Sequence, residues 1–280
     1  MNKKIILIIG IIISLIAVFA LLKEMRKPDT ATSLSASTSS SVKNVKFGAT
    51  SSLLSEAKGF ETKGDLPQAK TTYQKLVADF PNSKEVMHWQ KKIEDLNIRL
   101  LFSPAITPKS ALYEIKPGDT LAKIAREFKT TVDSIKKSNN LSDDKIIPGK
   151  KIKVWTAPFN IFVDKSQNIL ILKSDDEVIK TYIVSTGANN STPVGTFKIV
   201  NKLLNPTWFK AGAVVPAGSS ENVLGTRWLG FNLSGYGIHG TVEPQNLGKQ
   251  VTQGCVRLNN QDVEELYSIV PIGTEITIVD

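Results

Sequence analysis

The 280-residue chain carries a formal net charge of +9, with 41% hydrophobic and 22% charged residues. That length suits several small modules, and the composition excludes a chain disordered throughout. The one cysteine, Cys255, excludes an internal disulfide, and the basic balance comes with no groove-reading motif, which sets nucleic acid aside as a partner.

Residues 5–22 form an apolar run without a charge, flanked by basic "MNKK" and "KEMRK". At 1.5 Å per residue such a run spans about 27 Å, close to a hydrocarbon core. Residues 1–22 are therefore expected to be an uncleaved membrane anchor, with a cleaved signal segment as the alternative, and the rest of the chain is expected outside the cytoplasm in the cell envelope. Residues 23–50, rich in Ser and Thr, read as a flexible tether.

Residues 51–102 turn helical. Leu53, Ala57 and Phe60 share one face, and Ala69, Tyr73, Leu76 and Phe80 another. Gly64 and Asp65 separate them, Pro81 ends the second helix, and a third over 83–100 closes the group. The set Ala57, Phe60, Gly64, Ala69, Tyr73, Leu76 and Pro81 resembles one tetratricopeptide repeat, which implies a protein partner; a plain helical spacer is the competing reading. His88, beside Trp89, is read as structural.

After a second linker, 103–111, residues 112–156 predict a strand, two short helices and a closing strand. Thr120 N-caps the first helix, whose stripe is Leu121, Ile124, Ala125 and Phe128, and the second starts near Thr131 with Val132 and Ile135 inward. "YEIKPGDTLAKIA", "SNNL" and "IIPGKKIKV" resemble a lysin motif (LysM) along its full length. That resemblance implies binding to N-acetylglucosamine-containing glycan, peptidoglycan strands above all.

Residues 157–280 carry −2 of the net charge, so the basic excess lies outside them. Their alternating runs, from "FNIFVD" to "TEITIVD", predict a β-sandwich or partly open barrel with one helix, "NQDVEELYSIV". The whole chain is thus expected to be multidomain α+β.

"GIHGTVEPQNLGKQVTQGCVRL" holds the chemistry. A thiol becomes a nucleophile when a histidine takes its proton, and His239 is the only histidine of this last domain. Glycines 237, 240 and 254 are expected to bring backbone close to a substrate, with the N–H groups of Gly254 and Cys255 facing an oxyanion. Arg257 points to the same side as Cys255 and favours the thiolate.

"IHG", sixteen residues on to Cys255, and "TQGCVRL" resemble the L,D-transpeptidase catalytic (YkuD-like) domain, as do "STPVGTFKI" and "NVLGTRWLGF". The resemblance implies Cys255 as nucleophile, His239 as base and the Gly240 carbonyl as its orienter, with Thr252, Gly254 and Arg257 shaping the site. Gln253 departs from members that carry a second histidine there. The implied reaction opens the peptide bond before a terminal D-alanine in a peptidoglycan stem and passes the acyl group to a neighbouring stem, giving a 3→3 cross-link. Neither cofactor nor metal is implied, and carbapenems are expected to acylate the thiol. The alternatives are an L,D-carboxypeptidase and a non-enzymatic wall-anchoring protein.

Overall fold

The computed structural model describes residues 38–210 and 212–280. The expected anchor, residues 1–22, lies outside the described residues, and no helix among them is long and apolar enough to cross a membrane. The chain divides into two compact units, 1–49 and 50–280, and the contacts below belong to the second.

Three helices come first: α1 (Thr38–Lys63), α2 (Leu66–Asp79) and α3 (Val86–Leu101). Helix α1 begins inside the stretch expected as a tether, which corrects that reading for residues 38–50. Neither Gly nor Pro interrupts residues 38–47, so nothing stops a helix from extending backwards from its packed turns. Gly64 takes φ +76° at the end of α1, and the Asp65 carboxylate caps α2 by accepting from the Gln68 N–H at 3.3 Å. Ala57, Ala69, Tyr73, Leu76, Trp89 and Leu96 bury the stripes that meet between the helices. His88 is exposed on α3, so the expectation of a structural histidine has no packing behind it.

The βααβ unit follows as expected: β1 (Ser110–Glu114), α4 (Leu121–Glu127), α5 (Val132–Ser138) and β2 (Lys151–Trp155), with β1 and β2 antiparallel. Thr120 and Thr131 cap the two helices, accepting from the N–H groups of Lys123 and Ser134. Leu121, Ile124, Ala125 and Ile135 are buried, with Phe128 and Val132 packed against them.

The remaining strands are β3 (Phe159–Asp164), β4 (Ile169–Ser174), β5 (Glu177–Ile183), β6 (Thr186–Gly187), β7 (Gly195–Leu204), β8 (Trp208–Lys210), β9 (Ala213–Val215), β10 (Arg227–Phe231), β11 (Gly237–His239), β12 (Gln250–Thr252) and β13 (Val256–Arg257). Helix α6 (Asn260–Ile269) and strand β14 (Glu275–Val279) complete the chain. Eight strands form one sheet, β13-β11-β10-β7-β14-β3-β4-β5, parallel only at β11–β13 and β14–β3. Ser185, just past β5, exchanges backbone hydrogen bonds with Arg257 on β13 at 2.8 and 2.9 Å. The sheet therefore curls until its two ends touch at one bridge, a partly open barrel rather than the two stacked sheets of a sandwich. Val263, Leu266 and Ile269 of α6 are buried in its core.

Helix α3 and the βααβ unit pack on this sheet instead of hanging from it. Ile98 and Leu101 of α3 enter the sheet's core, and Trp155 of β2 stacks on Phe159 of β3 with centroids 5.6 Å apart. Lys153 of β2, 1% exposed, donates to the carbonyls of Leu100 and Ser103 at 2.6 and 2.8 Å, and burial pulls its pKa down to about 8. The expected linker 103–111 is itself tied down: its Lys109 pairs with Glu177 at 3.1 Å.

Strand β5 is an edge of the sheet, and side chains of α3 occupy its backbone groups. Asn97 Nδ2 donates to the carbonyls of Val178 and Ile179 at 3.1 and 3.0 Å, and the Glu94 carboxylate accepts from the Thr181 N–H at 3.1 Å. Asn97 is 4% exposed, so a leucine of similar bulk would strand two carbonyls, that of Ile179 in a buried setting. Asn97→Leu should lower stability by about 1–3 kcal/mol, read as a reduced denaturation midpoint at unchanged slope.

Candidate active site

Register brings the sequence-predicted residues together. β11 ends at His239 and runs parallel to β13, with His239 opposite Arg257. Cys255 immediately precedes β13, so both chemical groups open into one cleft of about 560 Å³. Trp208, Tyr236, Thr252, Gln253 and Arg257 also line that cleft, and β8–β9 forms a hairpin at its rim.

His239 is buried, and its Nδ1 lies 2.7 Å from the Gly240 carbonyl oxygen. A carbonyl only accepts, so Nδ1 carries the proton and Nε2 is left with its lone pair. Burial drives the imidazole pKa from 6.5 down to about 4; the Arg257 charge pushes the same way and the Gly240 hydrogen bond opposes it. The ring is neutral at pH 7.

Cys255 is half-buried, and its thiol donates to the Gly235 carbonyl at 3.5 Å. Burial raises its pKa, against the Gly237 N–H and the Arg257 charge, which both favour the thiolate. The resting pair is therefore thiol and imidazole, not thiolate and imidazolium. Arg257 is buried, held to Glu243 at 3.2 Å through Nη1, while its Nε has no hydrogen-bond partner.

Thr252 organises the turn that carries the thiol. Its hydroxyl donates to the Cys255 carbonyl at 2.7 Å and accepts from the Gly254 N–H at 3.2 Å. That bond engages the Gly254 N–H, one of the two donors expected to meet an oxyanion. The three glycines also make room for protein rather than for substrate. A Cβ at Gly254, whose φ is +126°, would come within 2.7 Å of the Tyr236 ring, one at Gly237 within 2.7 Å of Trp228, and one at Gly240 within 2.2 Å of Asn260 Oδ1.

Two neighbours escaped the sequence reading. Trp228 pairs with His239 across β10 and β11 and stacks on its ring, centroids 6.0 Å apart, with the indole N–H held by Asn201 Oδ1 at 3.0 Å. Asn260 opens α6 and accepts from the N–H groups of Thr226 and Thr241. The signal for Trp228 was the strand pairing of "RWLGF" with "GIH", which needs the register; Asn260 had none beyond its place at a helix start.

His239 also sets an acid limit on stability. The unfolded chain binds a proton near pH 6.5 and the folded chain only near 4, so the stabilisation is complete above pH 6.5 and is lost as the pH falls toward about 4. The loss should be on the order of 3 kcal/mol. Denaturant titrations of wild type and His239→Gln across this window should differ in slope against pH, with the variant flatter.

The chain matches the YkuD model, the L,D-transpeptidase catalytic domain, over residues 158–278, and the LysM domain model over residues 113–155. A Bacillus licheniformis protein bearing the L,D-transpeptidase name YkuD is 36% identical over 175 residues, 60% of this chain and 98% of that protein. Its Bacillus subtilis namesake is 35% identical over 173 residues, 59% of this chain and 97% of that one. An L,D-transpeptidase structure from Mycobacterium tuberculosis covers 61% of this chain and 90% of its own at 14% identity, with a TM-score of 0.39, too distant to add weight to the sequence relatives. The chain belongs to the L,D-transpeptidase (YkuD) family and carries a LysM domain.

Proposed function

We propose that this protein is a cysteine-dependent L,D-transpeptidase that forms 3→3 cross-links in peptidoglycan. The observation that carries the reading is the opening of Cys255 and His239 into one cleft, in a chain of this family. In the proposed first step Cys255 Sγ attacks the carbonyl carbon of the third residue of a tetrapeptide stem, and its proton passes to His239 Nε2. Collapse of the tetrahedral intermediate breaks the bond to the terminal D-alanine, whose amine takes that proton, and leaves a thioester. An amine of a second stem then attacks the thioester, and the sulfur leaves with its proton restored. Water in place of the amine gives L,D-carboxypeptidase activity from the same intermediate.

Gly240 orients the base through its carbonyl, and Arg257 favours the thiolate as it forms. Thr252 and Gly254 hold the turn that presents the Cys255 N–H to the oxyanion. The LysM, residues 112–156, holds the enzyme on glycan strands at the wall, and residues 1–22 anchor it in the membrane or, if cleaved, direct its export. The tetratricopeptide likeness of 51–102 supports a weaker reading, because α3 already spends part of its surface on β5. The test is release of D-alanine from purified tetrapeptide muropeptides, with cross-linked dimers resolved by mass spectrometry. No release by the wild-type chain would leave the wall-anchoring alternative in place.

A further inference from the structure

We infer that Asn260 is a positioning residue for His239, acting through one peptide unit. The inference rests on the reading of His239 as the base. The peptide between Gly240 and Thr241 has its two polar ends in two different hands. Its carbonyl oxygen lies 2.7 Å from His239 Nδ1, and its N–H donates to Asn260 Oδ1 at 3.1 Å. The two groups of a planar peptide point in opposite directions, so fixing the N–H fixes the direction of the carbonyl. A hydrogen bond accepted at the N–H side also polarises the unit and strengthens its carbonyl as an acceptor.

The amide oxygen is a shared hub. Asn260 Oδ1 also accepts from the Thr226 N–H at 3.2 Å, at the entry to the strand whose Trp228 stacks on His239. Two donors converging on one atom demand an acceptor without a hydrogen, which sets the orientation of the amide. The surrounding backbone is cut to fit that atom: a Cβ at Gly225 or at Gly240 would lie 2.2 Å from it. Asn260 itself stands in the first turn of α6, capped by the Asn259 side chain, which accepts from the Asp262 N–H at 2.7 Å. A rigid helix start thus reaches His239 through a single peptide and holds the proton on Nδ1. The lone pair of Nε2 is then the one offered to the thiol.

The test compares the full chain with Asn260→Ala and Asn260→Asp, the latter keeping an acceptor oxygen at the same place. Nitrogen-15 NMR of the two histidines reads the tautomer directly, with exposed His88 as internal reference. Wild type and Asn260→Asp should show His239 protonated at Nδ1, and Asn260→Ala a mixture of the two tautomers. The alanine variant should lose about 30-fold in kcat for D-alanine release at unchanged KM, less than the roughly 10²- to 10⁴-fold loss of the base itself, and the aspartate variant should recover most of it. A pure Nδ1 tautomer in Asn260→Ala overturns the inference. So does a folded Asn260→Asp that has lost that tautomer, which keeps the test decisive where the alanine variant fails to fold. A wild type that releases no D-alanine refutes the proposed function alone, since the NMR comparison stands without turnover.

Discussion

Cys255→Ala should release no D-alanine from tetrapeptide muropeptides, a loss of at least about 10⁴-fold, because removing a covalent nucleophile leaves only binding and polarisation. The variant should fold normally. The side chain is half-buried and its polar contacts are a long bond to the Gly235 carbonyl and one from the Gly237 N–H, while Thr252 holds the turn through the Cys255 backbone carbonyl. The chain's single thiol supplies a second readout. A carbapenem offers a strained acyl carbonyl, and intact-mass spectrometry should find one adduct on the wild type and none on the variant. Turnover should fall in step with adduct formation. An adduct that survives without Cys255, or residual turnover within a hundredfold of wild type, would refute the assignment of the nucleophile.

His239→Gln should cost about 10²- to 10⁴-fold in acylation at pH 7, the span of a lost general base. Its size follows from the resting state: burial holds the Cys255 thiol above its ordinary pKa, so at pH 7 the proton is still on sulfur and must be removed during attack. Raising the pH ionises the thiol without help, and the variant should regain part of its rate in alkaline buffer. The wild type should behave differently. Its imidazole is already neutral above about pH 4, so its rate should hold across mildly acidic and neutral buffers and fall as His239 becomes protonated. The Arg257 charge shifts both groups downward. A variant with near-normal acylation at pH 7, or one that does not respond to alkali, would remove His239 from the mechanism.

The pairing of Cys255 with His239 in one cleft was legible in the sequence because its signal is local. A lone thiol, a lone domain histidine and a short spacer need no register to be noticed, and the curled sheet then opens both into one cleft. The βααβ unit was legible for the same reason, since Thr120 and Thr131 cap their own helices within three residues. What escaped depends on distant partners. Nothing near Trp228 marks it as the residue facing His239; that follows from how β10 pairs with β11. In the sequence, glycines 237, 240 and 254 suggest backbone brought close to a substrate, but Trp228, Asn260 and Tyr236 stand where their Cβ atoms would be. Asn97 and Lys153 look like ordinary surface residues of a helix and a strand, and their burial becomes visible only when the modules pack.

That packing decides how the protein can be divided. The β5 edge is covered by side chains of α3 and not by another strand. A fragment beginning near residue 157 would bare the carbonyls of Val178 and Ile179 and the N–H of Thr181, beside exposed Val178 and Ile183. An unpaired edge flanked by apolar side chains is a template for pairing with another copy of itself. By covering that edge α3 takes away a surface on which a second copy could pair, and a form cut to the catalytic domain alone should self-associate more than the full chain.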